Sequence, residues 1–311
     1  MEKRPLGRSG LSIAPLMFGG NVLGWTADEA TSFSLLDAFV AAGFDSIDTA
    51  DVYSAWVPGH TGGESETVIG KWLKRRGKRD DVIIATKVAK WPKRPGLKAA
   101  NIMAAVEESL ERLQTDYIDL YQSHEDDETT PLEESLEAFG KLIEQGKVRA
   151  IGASNYEAGR LKQALELSAS GLPRYETLQP AYNLMDRGIE GELQQLCVDE
   201  GVGIISYYGL ASGFLTGKYR SEADLGKSPR GRGMKRYLEG KGPKVLEALD
   251  AVAAEAIASP AQVALAWVMA KPGVTAPLAS ATSVTQLDEI MGSARLTLTP
   301  QQMAMLDEAS A

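Results

Sequence analysis

Short apolar segments rich in β-branched residues recur at similar intervals along the 311-residue chain, with amphipathic stretches between them. The first seven follow one another at a spacing of about 30 residues, which is the length of one strand–helix unit. Segments that are apolar on both faces are typical of the buried strands of a parallel sheet. We therefore predict strands over residues 16–19, 44–48, 82–87, 118–123, 148–153, 177–179, 203–207 and 274–276.

Eight such units form a (β/α)8 TIM barrel, a fold of about 250 residues plus insertions. The alternative is a doubly wound sheet, which usually opens with a Gly-x-Gly-x-x-Gly turn after its first strand. The chain has no such turn there, and no linker rich in Pro, Ser or Gly divides it. Residues 1–311 are thus predicted to form a single barrel domain. The predicted helices cover residues 28–42, 65–75, 98–113, 131–145, 157–168, 189–200, 246–257, 260–270 and 283–291.

Three segments lie outside the repeat. Residues 1–12 contain Gly7 and Gly10 around a predicted turn, which indicates an N-terminal β-hairpin closing one end of the barrel. Residues 300–311 are expected to form a terminal helix, with Thr299 as its N-cap and Pro300 in its first position. The long connection before the last strand predicts an extended loop on the face where the strands end.

Composition excludes several classes of protein. The chain has 42 acidic and 33 basic side chains, a net charge of −9, which does not favour nucleic-acid binding. A single cysteine, Cys197, and two histidines, His60 and His124, argue against a disulfide framework or a metal site. The N-terminus lacks the apolar core of a signal peptide, and no apolar run approaches the roughly 18 residues of a membrane span. We expect a cytoplasmic protein with no membrane partner.

Four titratable residues fall at the ends of consecutive predicted strands: Asp48, Tyr53, Lys87 and His124. Taken singly, each has a structural explanation as a cap, a packed aromatic, a solvated lysine or a core histidine. In a barrel, however, catalytic residues occupy these positions. A buried Lys87 requires a partner for its charge, and Asp48 can supply it.

These four residues, called the tetrad below, suggest a proton donor. Lys87 is expected to lower the pKa of the Tyr53 phenol from about 10, because a nearby cation favours the phenolate. Such a tyrosine can act as a general acid towards a developing alkoxide. His124 could hydrogen-bond the same oxygen and orient a carbonyl group.

The tetrad and three further motifs resemble the aldo-keto reductase family over nearly the whole chain. The motifs are Gly152-Ala153-Ser154-Asn155, Gln179-Pro180-Ala181-Tyr182-Asn183 and Leu210-Ala211-Ser212-Gly213-Phe214-Leu215-Thr216-Gly217-Lys218. The resemblance implies an enzyme that reduces aldehydes or ketones by hydride transfer from a nicotinamide cofactor. It also implies that the carboxamide of the cofactor is held by Ser154, Asn155 and Gln179.

Other cofactor contacts implied by the resemblance are less uniform. Tyr207 would stack on the nicotinamide ring, with Tyr208 as an alternative because Tyr208-Gly209 replaces the family's usual Ser-Pro. NADPH is the expected cofactor, with NADH possible, since hydroxyls at a helix N-terminus can bind the extra phosphate. The further residues expected to contact the cofactor are Gly20, Asn21, Leu210, Ser212, Lys218, Arg232, Ser280, Thr282, Gln286 and Glu289.

Residues 217–242, called the basic connection below, have an excess of positive charge on an acidic chain. One interpretation is a solvated flexible loop, and the other is a lid whose cations approach the phosphates of the dinucleotide. Lys218 matches the family's Thr-Gly-Lys and Arg232 is a second candidate. The basic residues are Lys218, Arg220, Lys227, Arg230, Arg232, Lys235, Arg236 and Lys241, against Glu222, Asp224 and Glu239.

The substrate is expected to be a small carbonyl compound. Trp25, Trp56 and Trp91 fall in the first three strand–helix loops and suggest an aromatic wall for it. Two other functions stay open: a redox-sensing NADPH-binding regulatory protein with little turnover, and a Schiff-base enzyme using Lys87. These patterns do not specify an oligomeric state.

Overall fold

Eight parallel strands close into a barrel in a computed structural model that describes residues 1–228 and 231–311. Neighbouring strands follow chain order, and the last strand closes the barrel by pairing with the first barrel strand. The prediction of a (β/α)8 barrel is confirmed. The strands are β1 (Arg4–Pro5), β2 (Ser12–Ile13), β3 (Met17–Gly19), β4 (Ser46–Asp48), β5 (Ile83–Val88), β6 (Ile118–Ser123), β7 (Val148–Ser154), β8 (Tyr175–Gln179), β9 (Gly203–Ser206) and β10 (Val274–Ala279).

Helices connect the barrel strands and cover the outside of the barrel. Several begin at side-chain caps, and the Ser259 and Thr299 hydroxyls each accept from the backbone N–H three residues on, as the sequence predicted for Thr299. The helices are α1 (Glu29–Ala41), α2 (Glu64–Arg76), α3 (Ala99–Leu113), α4 (Leu132–Glu144), α5 (Ala158–Ala169), α6 (Glu192–Glu200), α7 (Lys235–Leu238), α8 (Gly242–Ala256), α9 (Pro260–Met269), α10 (Val284–Gly292) and α11 (Pro300–Ala309).

Strand limits differ from the predicted ones where pairing outweighs local composition. β10 was expected to end at residue 276, before Pro277. It continues to Ala279, since Leu278 and Ala279 pair with Met17 and Phe18 of β3 and close the barrel. β9 ends one residue earlier than predicted, and Tyr207 forms only an isolated bridge with Ala181.

The N-terminal hairpin of β1 and β2 lies at the amino-terminal ends of the barrel strands. Leu6 and Ile13 are fully buried and pack with apolar side chains of the barrel interior, including Ala85 and Leu120. Gly7 has a φ of +59°, and a methyl group there would overlap the backbone carbonyl of Glu176. The hairpin therefore closes this end of the barrel, as the sequence predicted.

The basic connection between β9 and β10 folds into short helical turns rather than an open loop. After the turn Ala211–Thr216 come two further 3-10 turns, Glu222–Lys227 and Gly231–Met234, followed directly by α7. Arg230, one of its predicted cations, lies outside the described residues. The other basic side chains of this connection are therefore attached to an ordered backbone.

Helices in the described ranges are individually too short or too polar to cross a membrane. Only α8 and α9 together reach a spanning length with apolar composition, and they are bent by 94° at the break between them.

Replacing Gly70 by Ala is expected to lower the free energy of unfolding by about 2 kcal/mol, because α2 meets α3 closely here. A methyl group at Gly70 would overlap the carbonyl of Arg112 in α3. Gly159→Ala is the control, since Gly159 is exposed in α5 with no atom near its missing methyl group. The control should gain about 0.5–1 kcal/mol from helix propensity. Urea denaturation measures both, and equal effects at the two sites would contradict the close packing.

Candidate active site

A fully buried ion pair lies at the carboxyl-terminal end of the barrel. The ammonium group of Lys87 on β5 donates to Asp48 Oδ2 at 2.5 Å, to the carbonyl of Thr49 at 2.8 Å and to the Tyr53 hydroxyl at 3.2 Å. Neither Lys87 nor Asp48 is exposed to solvent. Three acceptors satisfy all three donor positions of the ammonium, which is what a buried lysine needs to stay charged.

The second oxygen of Asp48 is held by amide side chains from two other barrel strands, β8 and β6. Gln179 Nε2 donates to Asp48 Oδ1 at 2.8 Å, and Gln122 Nε2 approaches the same atom at 3.3 Å. Sequence reasoning missed Gln122, although a glutamine inside an apolar strand one residue before Ser123-His124 was a usable signal. Gln179 was expected to hold the cofactor carboxamide, and its amide nitrogen also orients Asp48.

The electrostatics of Tyr53 differ from the sequence prediction. Burial raises the pKa of Tyr53 above its usual value, and the opposing effect of the nearby Lys87 ammonium is smaller. The expectation that Lys87 lowers this pKa overall was therefore wrong, because desolvation of the phenolate outweighs attraction by the cation. Burial likewise opposes the charge of Lys87, but Asp48 and Tyr53 outweigh it and raise the pKa of the lysine. At neutral pH the pair consists of a phenol and an ammonium ion.

His124 follows β6 and lies beside Tyr53, with the two ring centres 5.9 Å apart. Its backbone N–H donates to the carbonyl of Val88 at the end of β5, which holds it at the rim of the barrel. Burial, together with the charges of Lys87 and Lys90, holds the pKa of His124 well below its usual value. The ring is neutral at physiological pH, and Nδ1 has no hydrogen-bond partner among the described residues.

The tetrad opens onto a cavity of about 1380 Å³ at the carboxyl-terminal face. This volume exceeds the roughly 300–1,000 Å³ of an ordinary small-molecule pocket. Most residues predicted for the site line it, and they come from the ends of seven of the eight barrel strands or from the connections that follow them. They are Asn21, Trp25, Asp48, Tyr53, Trp56, His124, Ser154, Asn155, Gln179, Tyr207, Leu210, Ser212, Lys218, Ser280, Thr282, Gln286 and Glu289.

Four predicted residues do not line this cavity. Lys87 lies beneath it, covered by Tyr53 and Asp48, and the backbone of Gly20 is buried against Ser65.

Trp91 and Arg232 are the other two predicted residues that do not line the cavity. The Trp91 indole N–H donates to the carbonyl of Thr61, and the ring packs under the Arg112 guanidinium. Trp91 is thus a packing residue of its loop instead of a substrate wall. Arg232 is exposed within the 3-10 turn Gly231–Met234, whose residues Gly233 and Met234 line the cavity although Arg232 itself does not. Periodicity and motif position could not separate Trp91 from Trp56, because only loop conformation decides which ring faces the cavity.

Several lining residues were not singled out from the sequence. Lys227 and Arg236 join Lys218 on the side of the cavity formed by the basic connection. The excess of positive charge in that connection was the signal, but it did not distinguish individual residues. Tyr208, the alternative to Tyr207 for the nicotinamide ring, also lines the cavity. The other lining residues, which were not predicted, are Gly19, Val22, Thr26, Lys90, Gly209, Gly213, Thr216, Ser228, Gly233, Met234, Ala261, Leu278, Ala279 and Ile290.

Polar side chains on two sides of the cavity are already ordered by one another. The Asn155 amide donates to the carbonyl of His124 at 3.0 Å, and the Tyr207 hydroxyl donates to Asn155 Oδ1 at 2.8 Å. On the β10 side, the Ser280 hydroxyl lies within hydrogen-bond distance of the Gly19 carbonyl and of Asn21 Oδ1. These contacts restrict the rotamers of groups that a flat amide or a ribose could meet.

A buried Asp–Lys–Tyr network under a large cavity of a (β/α)8 barrel is the arrangement expected from the sequence for an oxidoreductase. Comparison with known proteins agrees with this class. Residues 15–311 match the model of the Aldo/keto reductase family. The chain belongs to the aldo-keto reductase family and is an NAD(P)H-dependent oxidoreductase.

Relatives align along almost the full chain. A Bacillus subtilis (strain 168) protein named Uncharacterized oxidoreductase YrpG is 34% identical, with 99% of this chain and 95% of that protein covered. Protein tas of Escherichia coli (strain K12) is 33% identical, covering 99% of this chain and 97% of its own length. A chloroplastic pyridoxal reductase of Arabidopsis thaliana is also 33% identical, over 96% of this chain and 84% of its own.

Proposed function

We propose that this protein reduces aldehydes or ketones to alcohols with NADPH, with Tyr53 as the proton donor. The observation that carries the proposal is the position of the Tyr53 hydroxyl, which lies 3.2 Å from a buried ammonium and faces the cavity. We include the whole of residues 1–311 in this catalytic unit. NADH is a possible second cofactor.

The chain's own residues account for the proton chemistry. A substrate carbonyl between Tyr53 and His124 would accept a hydrogen bond from the phenol, and the neutral imidazole would orient the same oxygen. When bound, the nicotinamide supplies the hydride that reduces the carbonyl carbon. Tyr53 gives its proton to the oxygen as the alcohol forms, and the Lys87 ammonium stabilises the phenolate that remains. Asp48 keeps Lys87 charged and in place.

The cavity suits a phosphorylated dinucleotide. Lys218, Lys227 and Arg236 offer positive charge on one side, which favours the pyrophosphate. Ser154 and Asn155 offer the hydroxyl and amide groups that match a carboxamide, and Tyr207 offers an aromatic face.

At the β10 end of the cavity, hydroxyl and amide groups of Ser280, Thr282 and Gln286 surround the N-terminus of α10. Such a helix end, with its free backbone N–H groups, favours an anion. We assign this end to the additional phosphate of NADPH.

The arrangement of Lys87 does not favour a Schiff-base mechanism. All three donor positions of its ammonium are occupied, and the group lies beneath the cavity surface. Its raised pKa keeps it protonated, whereas attack on a carbonyl requires the neutral amine. Lys87 therefore acts on Tyr53 and not as a nucleophile.

NADPH oxidation with a panel of aromatic and aliphatic aldehydes and ketones tests the proposal. Pyridoxal belongs in the panel, because one relative is named for its reduction. We expect turnover with at least one aldehyde and formation of the corresponding alcohol. Tight NADPH binding with no turnover on any carbonyl would instead support a redox-sensing regulatory protein.

Removing charge from the basic connection tests the cofactor assignment. Lys218→Ala and Arg236→Ala are each expected to weaken NADPH binding about tenfold, since each removes a cation from the phosphate side of the cavity. Arg232→Ala is the matched control and should change the Kd less than twofold, because Arg232 is exposed and does not line the cavity. Quenching of tryptophan fluorescence measures the Kd of each variant. A larger effect at Arg232 than at Lys218 would contradict the assignment.

A further inference from the structure

An ion pair at the mouth of the cavity has no part in the tetrad. Lys90 follows β5 and Glu125 follows β6, and their charged groups lie 3.3 Å apart. The hydrogen bond from the His124 N–H to the Val88 carbonyl joins the same two strand ends. Lys90 and Glu125 are therefore next to the residues that place His124.

Lys90 is close enough to the reacting groups to act on them electrostatically. Its charge is among the causes that hold the pKa of His124 low. Among the described lining residues, the other cations, Lys218, Lys227 and Arg236, all come from the basic connection. Lys90 is thus the lining cation on the β5 side, beside His124 and apart from the proposed phosphate region.

The pair with Glu125 is easily exchanged. The side chains of Lys90 and Glu125 are 36% and 47% exposed, and ion pairs this exposed contribute little to stability. A substrate anion entering the mouth could take the place of the Glu125 carboxylate without leaving Lys90 unpaired. The aromatic rings of Trp56 and Trp25 line the same cavity and contact each other edge to face, with centres 5.7 Å apart.

We propose that Lys90 is a specificity residue that selects aromatic aldehydes carrying an anionic substituent. When no such substrate is bound, Lys90 forms its ion pair with Glu125. The inference rests on the proposed carbonyl reduction and names its substrate class. An aromatic ring would pack on Trp56 while its carbonyl lies between Tyr53 and His124. A carboxylate on that ring would reach the ammonium of Lys90 at the mouth.

The test compares each substrate with its own neutral analogue. We would measure kcat/KM for 3- and 4-formylbenzoate and for their methyl esters with NADPH. Wild type should prefer at least one acid over its ester, and Lys90→Met should lower that acid-to-ester ratio about tenfold. Glu125→Gln should raise the ratio, because it removes the competing carboxylate. Using the ratio cancels any change that affects both substrates equally.

Lys93→Met is the matched control. Lys93 is an exposed lysine in the same connection and does not line the cavity, and its substitution removes the same charge as Lys90→Met. Its acid-to-ester ratio should equal that of wild type. If wild type reduces the esters but Lys90→Met leaves the ratio unchanged, the role of Lys90 is refuted while carbonyl reduction stands. If no carbonyl compound is reduced at all, the proposed function itself fails.

Discussion

Tyr53→Phe is expected to lower kcat for carbonyl reduction by about 1,000-fold, since it removes the proposed general acid and keeps the ring. The ring of Tyr53 contacts Trp56 and His124, so phenylalanine preserves the packing of the site. Single-turnover oxidation of NADPH with an aldehyde measures the chemical step directly. Fluorescence titration with NADPH checks that the variant still binds the cofactor. Reduction at a wild-type rate would show that another group donates the proton.

The pH dependence of the same reaction provides a second test of Tyr53. The phenol must be protonated to act as an acid, so reduction is lost as the pH rises through its pKa. Because burial raises that pKa above its ordinary value of about 10, the rate should stay level from about pH 7 to pH 9. A fall in rate centred near pH 7 would mean that a different group controls proton transfer.

The second large effect is expected at Asp51, a buried acid that the proposed mechanism does not use. Asp51 lies between the tetrad residues Asp48 and Tyr53 in the chain and is 1% exposed. Neither of its side-chain oxygens has a well-formed hydrogen bond among the described residues, and the adjacent Val52 N–H offsets only a small part of the effect of burial. The neighbouring Glu66 carboxylate is also buried and is paired with Arg112 at 2.7 Å. One guanidinium therefore lies near two buried carboxyl groups.

This surrounding keeps Asp51 protonated near neutral pH. Burial, supported by the charge of Glu66 and opposed by Arg112, raises the pKa of Asp51 to about 8. The folded protein then holds a proton that the unfolded chain has lost, so folding becomes less favourable as the pH rises from about 4 to about 8. At pH 7 this raised pKa lowers the free energy of unfolding by roughly 4 kcal/mol relative to its value at low pH.

Asp51→Asn should accordingly raise the free energy of unfolding at pH 7 by roughly 4 kcal/mol and change it little at pH 4. Urea denaturation at the two pH values measures this difference. Asp127→Asn is a control of opposite sign. Hydrogen bonds from Thr129, Thr130 and Leu97 outweigh burial and lower the pKa of Asp127 to about 2, so this variant should be less stable than wild type at pH 7. A destabilised Asp51→Asn at pH 8 would contradict the neutral carboxyl group.

Most of the fold could be predicted from the sequence, because its signals are local. Apolar runs such as 82–87 and 118–123 show where strands lie, and their spacing shows that each is followed by a helix. The carboxyl ends of parallel strands lie on one face of a barrel, so the positions of Asp48, Lys87 and His124 at strand ends predicted that they lie close together. Strand limits were less certain where pairing decided them, as at Pro277 in β10.

The sequence by itself determined the barrel, the tetrad and the positive charge of the basic connection, since each depends on residue type and position along the chain. Only the tertiary structure decided the direction of the Tyr53 pKa, the bonds from Gln122 and Gln179 to Asp48, and the unpaired state of Asp51. It also separated Trp56, which faces the cavity, from Trp91, which packs in its loop. These properties depend on burial and on distances between residues far apart in sequence, and both exist only when the barrel has closed.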